Sequence, residues 1–141
     1  MTLRAATLFI LLTTYAHSAP FEDATQETIG QTGDWSNKVE LADIDGDGTV
    51  DILFANGGNY ASAGSPQLNT AFLNSQSGNF TEASIAIFET PDLARVIKAR
   101  DLNADGIVDL VIGATYQTQS RLFLGLGEGD FVEVTSTHLP S

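Results

Sequence analysis

Leu41–Gly58 reads LADIDGDGTVDILFANGG, with aspartates at 43, 45, 47 and 51 and a glycine at 48. Four like charges are crowded beside an apolar run, Val50-Asp51-Ile52-Leu53-Phe54, that has the β-branched and apolar content of a strand. A second stretch, ARDLNADGIVDLVIGAT, repeats the arrangement with Asp101, Asn103, Asp105, Gly106 and Asp109. Both follow one pattern, Asp-x-Asp/Asn-x-Asp-Gly-x-x-Asp. Alternate residues of a tight loop point inward, so oxygens at positions 1, 3 and 5 can converge. Glycine at position 6 permits the sharp turn. Position 7, Thr49 or Ile107, would offer its backbone carbonyl, and Asp51 or Asp109 at position 9 would close the sphere.

An all-oxygen donor set without imidazole or thiolate selects calcium, with magnesium second because it parts reluctantly with its waters. The expected ligands are Asp43, Asp45, Asp47, Thr49 and Asp51 in one loop, and Asp101, Asn103, Asp105, Ile107 and Asp109 in the other, giving two Ca2+ sites. An EF-hand needs Glu at position 12 followed by a helix. Here position 12 is Phe54 or Ile112, inside a predicted strand.

The acidic run recurs with a period of 58, from Asp43 to Asp101. Other landmarks repeat in the same order. Phe21-Glu22-Asp23-Ala24-Thr25 is echoed by Phe80-Thr81-Glu82-Ala83-Ser84 and by Phe131-Val132-Glu133-Val134-Thr135. TAFLNSQSGNF from Thr70 is echoed by RLFLGLGEGDF from Arg121. Within a unit, short strands are predicted at Val39–Leu41, Val50–Phe54, Ala71–Leu73 and from Phe80, with counterparts at Val96–Ala99, Ile107–Ile112, Arg121–Leu124 and from Phe131. Turn-forming residues separate them. Helical periodicity is weak, and Glu82–Phe88, beside Pro91, reads as loop or strand.

Four short strands per repeat of 50–60 residues make a sheet that cannot bury both faces alone, which points to radial stacking. The fold class expected is all-β, with β-propeller blades of four-stranded antiparallel sheets. About two blades are present, an incomplete propeller: residues 21–79, residues 80–135, and the start of a further unit at the C-terminus. Each unit resembles an FG-GAP/VCBS repeat, the blade of integrin-α-type propellers. VDILFANGG and VDLVIGAT match the strand after the calcium loop, and RLFLGLGEGDF the later strand and turn. The resemblance implies a calcium-stapled propeller of exported proteins, serving as a binding or adhesion scaffold.

Residues 1–19 have a basic start at Arg4, an apolar run of about ten residues and small residues near Ala19, the layout of a secretory signal peptide. The run is too short for the roughly 18–20 residues that span a bilayer. Export, to the periplasm or the extracellular space, is expected, with no membrane span after cleavage. Eighteen acidic side chains against six basic ones give a net charge of −12, which argues against nucleic acid as a partner. The absence of cysteine excludes disulfides, thiol catalysis and zinc–thiolate sites.

No catalytic constellation can be assembled from His17 and His138 with the available acids, and the expectation is a non-enzyme. Its partner would be a protein or carbohydrate ligand at the cell surface, with Trp35 and Tyr60 the first aromatic suspects. The alternative is a non-catalytic propeller portion of a longer exported enzyme, such as a polysaccharide- or lipid-active hydrolase. Two blades leave faces uncovered, so either further blades or self-association should complete the ring.

Overall fold

The computed structural model describes residues 21–30, 33–76 and 78–140. The signal-peptide reading of residues 1–19 lies outside them. Among the described residues, alternating apolar and polar residues punctuated by Gly, Asn and Asp fold into eight strands. These are β1 (Ser36–Ala42), β2 (Asp51–Asn56), β3 (Thr70–Asn74), β4 (Phe80–Glu82), β5 (Ala94–Arg100), β6 (Asp109–Ala114), β7 (Arg121–Gly127) and β8 (Asp130–Glu133). They form two four-stranded sheets, β1-β2-β3-β4 and β5-β6-β7-β8, with every neighbouring pair antiparallel.

Phe80–Glu82 pairs with β3 and closes the first sheet. The unit boundary therefore falls after Glu82 and not at Phe80, because the phenylalanine marks the last strand of a unit. The expectation of loop or strand for Glu82–Phe88 also needs correction. Ser84–Ile87 is a single helical turn, α2, and the same turn follows each marker, as α1 (Thr25–Thr28) and α3 (Thr135–His138). One turn is too short to leave a periodic signature. A side-chain hydroxyl stitches it to the sheet: the Ala71 N–H donates to Ser84 Oγ, and the Leu122 N–H donates to Thr135 Oγ1, both at 3.0 Å.

The two sheets agree down to their irregularities. Asn37 is an extra residue between Ser36 and Lys38, and Arg95 is the extra residue between Ala94 and Val96. A bulge re-aims its side chain out of the ladder. Here the two re-aimed side chains meet, Arg95 Nη1 donating to Asn37 Oδ1 at 2.7 Å. Three residues on, Lys98 Nζ donates to Glu40 Oε2 at 2.5 Å. Both pairs join positions 58 residues apart, so equivalent points on β1 and β5 face one another where the sheets meet.

Cross-strand partners share a sheet face. Leu53 and Ala71 with Glu40, on the first sheet, turn toward Ile97, Ala99, Leu110, Ile112 and Phe123 of the second. These hydrophobics form one buried cluster, exposed by 3% or less. Phe88, just after α2, is fully buried and meets Phe123 edge-on at 5.9 Å between ring centroids. Gly57 permits a close backbone approach beside this joint: a Cβ there would sit 2.2 Å from the Asp92 carbonyl oxygen. That approach lets Gln67 and Asp92 form an antiparallel bridge between the two units.

Candidate metal centre

Each acidic run connects the first two strands of its sheet, β1 to β2 and β5 to β6. Backbone N–H groups organise the carboxylates before any cation is considered. Asp43 accepts from Gly46 N (2.8 Å) and Gly48 N (2.9 Å), while Asp101 accepts from Ala104 N (2.7 Å) and Gly106 N (2.9 Å). Asp45 Oδ1 accepts from Asp47 N at 3.1 Å, as Asn103 Oδ1 does from Asp105 N at 3.0 Å. Asp47 and Asp105 then accept from Thr49 N and Ile107 N, each at 2.8 Å. Glycine at position 6 is required by the backbone, with φ +88° at Gly48 and +89° at Gly106. Position 4 is left-handed too, as Gly46 (φ +81°) in one loop and Ala104 (φ +64°) in the other.

The ninth-position aspartates hold a double post. Asp51 is fully buried and accepts from Ile44 N through Oδ2 and Asn74 N through Oδ1, both at 2.8 Å. Asp109, equally buried, accepts from Leu102 N at 2.8 Å and Gly125 N at 2.9 Å. Each carboxylate thus ties its loop to the third strand of its own sheet. Burial pushes the Asp51 carboxyl above its ordinary range, and the nearby charges of Asp45 and Asp43 add to the push.

Asp43, Asp45 and Asp51 bring carboxylate oxygens within 4.8 Å of one another, the one such acid triple among the described residues. The donor set fits a hard divalent cation: three convergent carboxylates whose oxygens keep lone pairs beyond those taken by N–H groups. Asp47 stands apart from the triple. Its Oδ1 lies 2.6 Å from Thr49 Oγ1, and hydrogen bonds from the hydroxyl and N–H of Thr49 hold its carboxyl below the ordinary range. Thr49 Oγ1 also lies 2.6 Å from Asn74 O.

In the second loop a neutral amide replaces the carboxylate at position 3, and Asn103 Nδ2 donates to Asp105 Oδ2 at 2.7 Å. Ile107 sits at position 7 of this loop, half-buried, its side chain near Gly125 and Gly127. The two loops lie close together, sharing a cavity lined by Asp43, Asp45, Gly46, Gly106 and Ile107.

Two further clusters were not foreseen. The Arg95 guanidinium lies over both Tyr60 (5.0 Å) and Tyr116 (5.8 Å) and donates to the Asn59 carbonyl. Tyr60 is 77% exposed, and the backbone N–H of Trp35 donates to Gln67 Oε1 at 2.8 Å. Nothing local in the sequence links residues 60, 95 and 116. Arg121 bridges Asp92 (3.5 Å) and Glu133 (2.6 Å) and stacks on Phe123, with Asn69 donating to Asp92 from behind. Burial raises the Asp92 carboxyl. His138 sits in α3 with Nδ1 2.7 Å from the Thr137 hydroxyl. No described helix is long and apolar enough to cross a membrane. Comparison with protein-family models and with curated proteins finds no match to the chain.

Proposed function

We propose that the chain is an exported calcium-binding protein of FG-GAP/VCBS-like blades, acting as a non-catalytic binding or adhesion scaffold. The observation that carries this reading is the convergence of Asp43, Asp45 and Asp51 in a loop whose backbone hydrogen bonds recur, position by position, in a second loop. Asp43, Asp45 and Asp51 would hold the first Ca2+, with Asp47 and Thr49 completing it. Asp101, Asn103, Asp105, Ile107 and Asp109 would hold the second, more weakly, because one ligand is neutral. Bound calcium would neutralise carboxylates that repel one another, so metal binding is coupled to folding.

The protein or carbohydrate ligand at the cell surface is best placed on the exposed Tyr60 and Tyr116 rings around Arg95, where stacking and hydrogen bonding are available together. Thermal melts with calcium and with excess chelator test the metal reading. Calcium should raise the melting temperature substantially, and Asp45→Asn should reduce that gain. A melt indifferent to chelator would refute the assignment.

A further inference from the structure

We infer that the patch of Tyr60, Tyr116 and Arg95 binds an acidic sugar, a uronic-acid residue of a polysaccharide, with its ring on Tyr60 and its carboxylate on the Arg95 guanidinium. The inference deepens the ligand half of the proposed function and rests on it, while standing apart from the calcium reading. Each sheet is an antiparallel meander, so the loops after β2 and β6 emerge at the end opposite the acidic loops after β1 and β5. At that end the two units differ. Six residues, 115–120, join β6 to β7, whereas thirteen, 57–69, join β2 to β3. Irregular loops of that length are uncommon, and are usually either functional or disordered. This one is folded: Gly58 N donates to Ser65 O at 3.0 Å, and Asn59 Oδ1 accepts from Ala61 N at 3.0 Å and Ser62 N at 2.6 Å. Gly64 packs so tightly on Gly58 that a Cβ there would come within 2.8 Å of it.

The longer loop carries Tyr60, and the second unit holds it in place. The Tyr116 hydroxyl donates to the Tyr60 carbonyl oxygen at 3.2 Å, and Arg95 donates to the Asn59 carbonyl. Tyr116 and the next residue, Gln117, both take left-handed backbone, at φ +52° and +66°. Residues with side chains disfavour that region, and such strain clusters at binding sites. Tyr60 nevertheless stays 77% exposed, beside the small Ala61. It is a fixed, bare ring, the flat apolar surface on which the C–H face of a pyranose stacks.

Charge selects the class of sugar. Lys98 and Arg100 face Glu40, and Arg121 bridges Asp92 and Glu133. Arg95 is half-buried and pairs with no carboxylate among the described residues; its hydrogen-bond partners, Asn37 Oδ1 and the Asn59 carbonyl, are neutral. A chain with 18 acidic side chains thus leaves this guanidinium without a counter-charge, beside two exposed rings. The two bonds use two of its five N–H donors, and the planar fork that remains suits a carboxylate. The net charge of −12 repels a polyanion at long range. Salt screens that repulsion beyond about 8 Å, whereas the contact with Arg95 is local. An acidic peptide offers the same carboxylate but no ring to lay on Tyr60, so the sugar is the better match.

The test screens the full chain, in calcium, against oligosaccharides from polygalacturonate, alginate and hyaluronan, against neutral oligosaccharides and against a polyglutamate peptide, with calorimetry on the tightest uronate. At least one uronate should bind. Its methyl ester, which keeps the ring and loses the charge, should bind at least tenfold more weakly. Tyr60→Ala should lose at least tenfold in affinity with unchanged circular dichroism, while Tyr60→Phe keeps it. Arg95→Gln should remove the preference for acid over ester; if that variant fails to fold, the ester comparison carries the charge test by itself. Neutral sugars or the peptide bound as tightly as any uronate, or uronate binding indifferent to Tyr60→Ala, overturn the proposal and leave the scaffold reading standing. A screen in which no uronate binds overturns it too, and the calcium melts judge the metal reading independently.

Discussion

At the scale of single residues, two positions separate loop architecture from cation binding. Asp109 is buried and accepts one N–H from its own loop and another from β7. Replacing it with alanine strands two buried donors, each costing about 1–3 kcal/mol. Asp109→Ala should therefore lose about 2–5 kcal/mol in denaturant unfolding, even with chelator present. Ala104 occupies the left-handed region where its counterpart is Gly46. That conformation costs a non-glycine residue about 1–2 kcal/mol, partly offset by glycine's greater unfolded-state freedom. Ala104→Gly should stabilise the protein by about 0.5–1 kcal/mol, read from the denaturation midpoint. The aspartate spacing was legible because periodic side chains in a tight loop converge locally. The clamp onto β7 was not, since its donor at Gly125 lies sixteen residues away.

At the scale of elements, the joint between β1 and β5 carries a charge pair. Desolvation is the largest single influence on Glu40 and opposes its ionisation. Hydrogen bonds from Lys98 and the Ala99 N–H, with the charges of Lys98 and Arg100, together outweigh it and hold the carboxyl below its ordinary 4.5. A depressed carboxyl contributes stability that is present above the unfolded-state value and is lost as pH falls through the folded one. Wild-type protein should lose stability below about pH 4.5 more steeply than Glu40→Gln, measured by unfolding across an acid series. Strand positions were legible from alternation and turn residues. The single-turn helices were not. In α2 and α3 the Ser84 and Thr135 hydroxyls and the preceding N–H groups find partners on β3 and β7.

At the scale of the molecule, the hydrophobic core is the contact between the two sheets rather than the interior of either one. Neither sheet has a second apolar layer of its own within the described residues. Removing the fully buried Ile97 side chain as Ile97→Ala should cost about 2–5 kcal/mol. Because both sheets share that core, a single transition should be seen by tryptophan fluorescence from Trp35 and by circular dichroism alike. Two separated transitions would contradict a shared core.

The amino-acid sequence by itself determined the repeat, the strands and the oxygen-rich loops, because each depends on residues close along the chain: period-two alternation, turn chemistry and ligand spacing. Only the tertiary structure decided which face of each sheet is core. The two sheets carry nearly the same apolar pattern, yet Ile97 and Ala99 are covered while Val39 and Leu41 are exposed. Burial is a property of what lies opposite a side chain, and that is set by contacts far apart in sequence. The same holds for Arg95, which gathers Asn37, Tyr60 and Tyr116 only because a bulge in β5 turns it toward the first sheet.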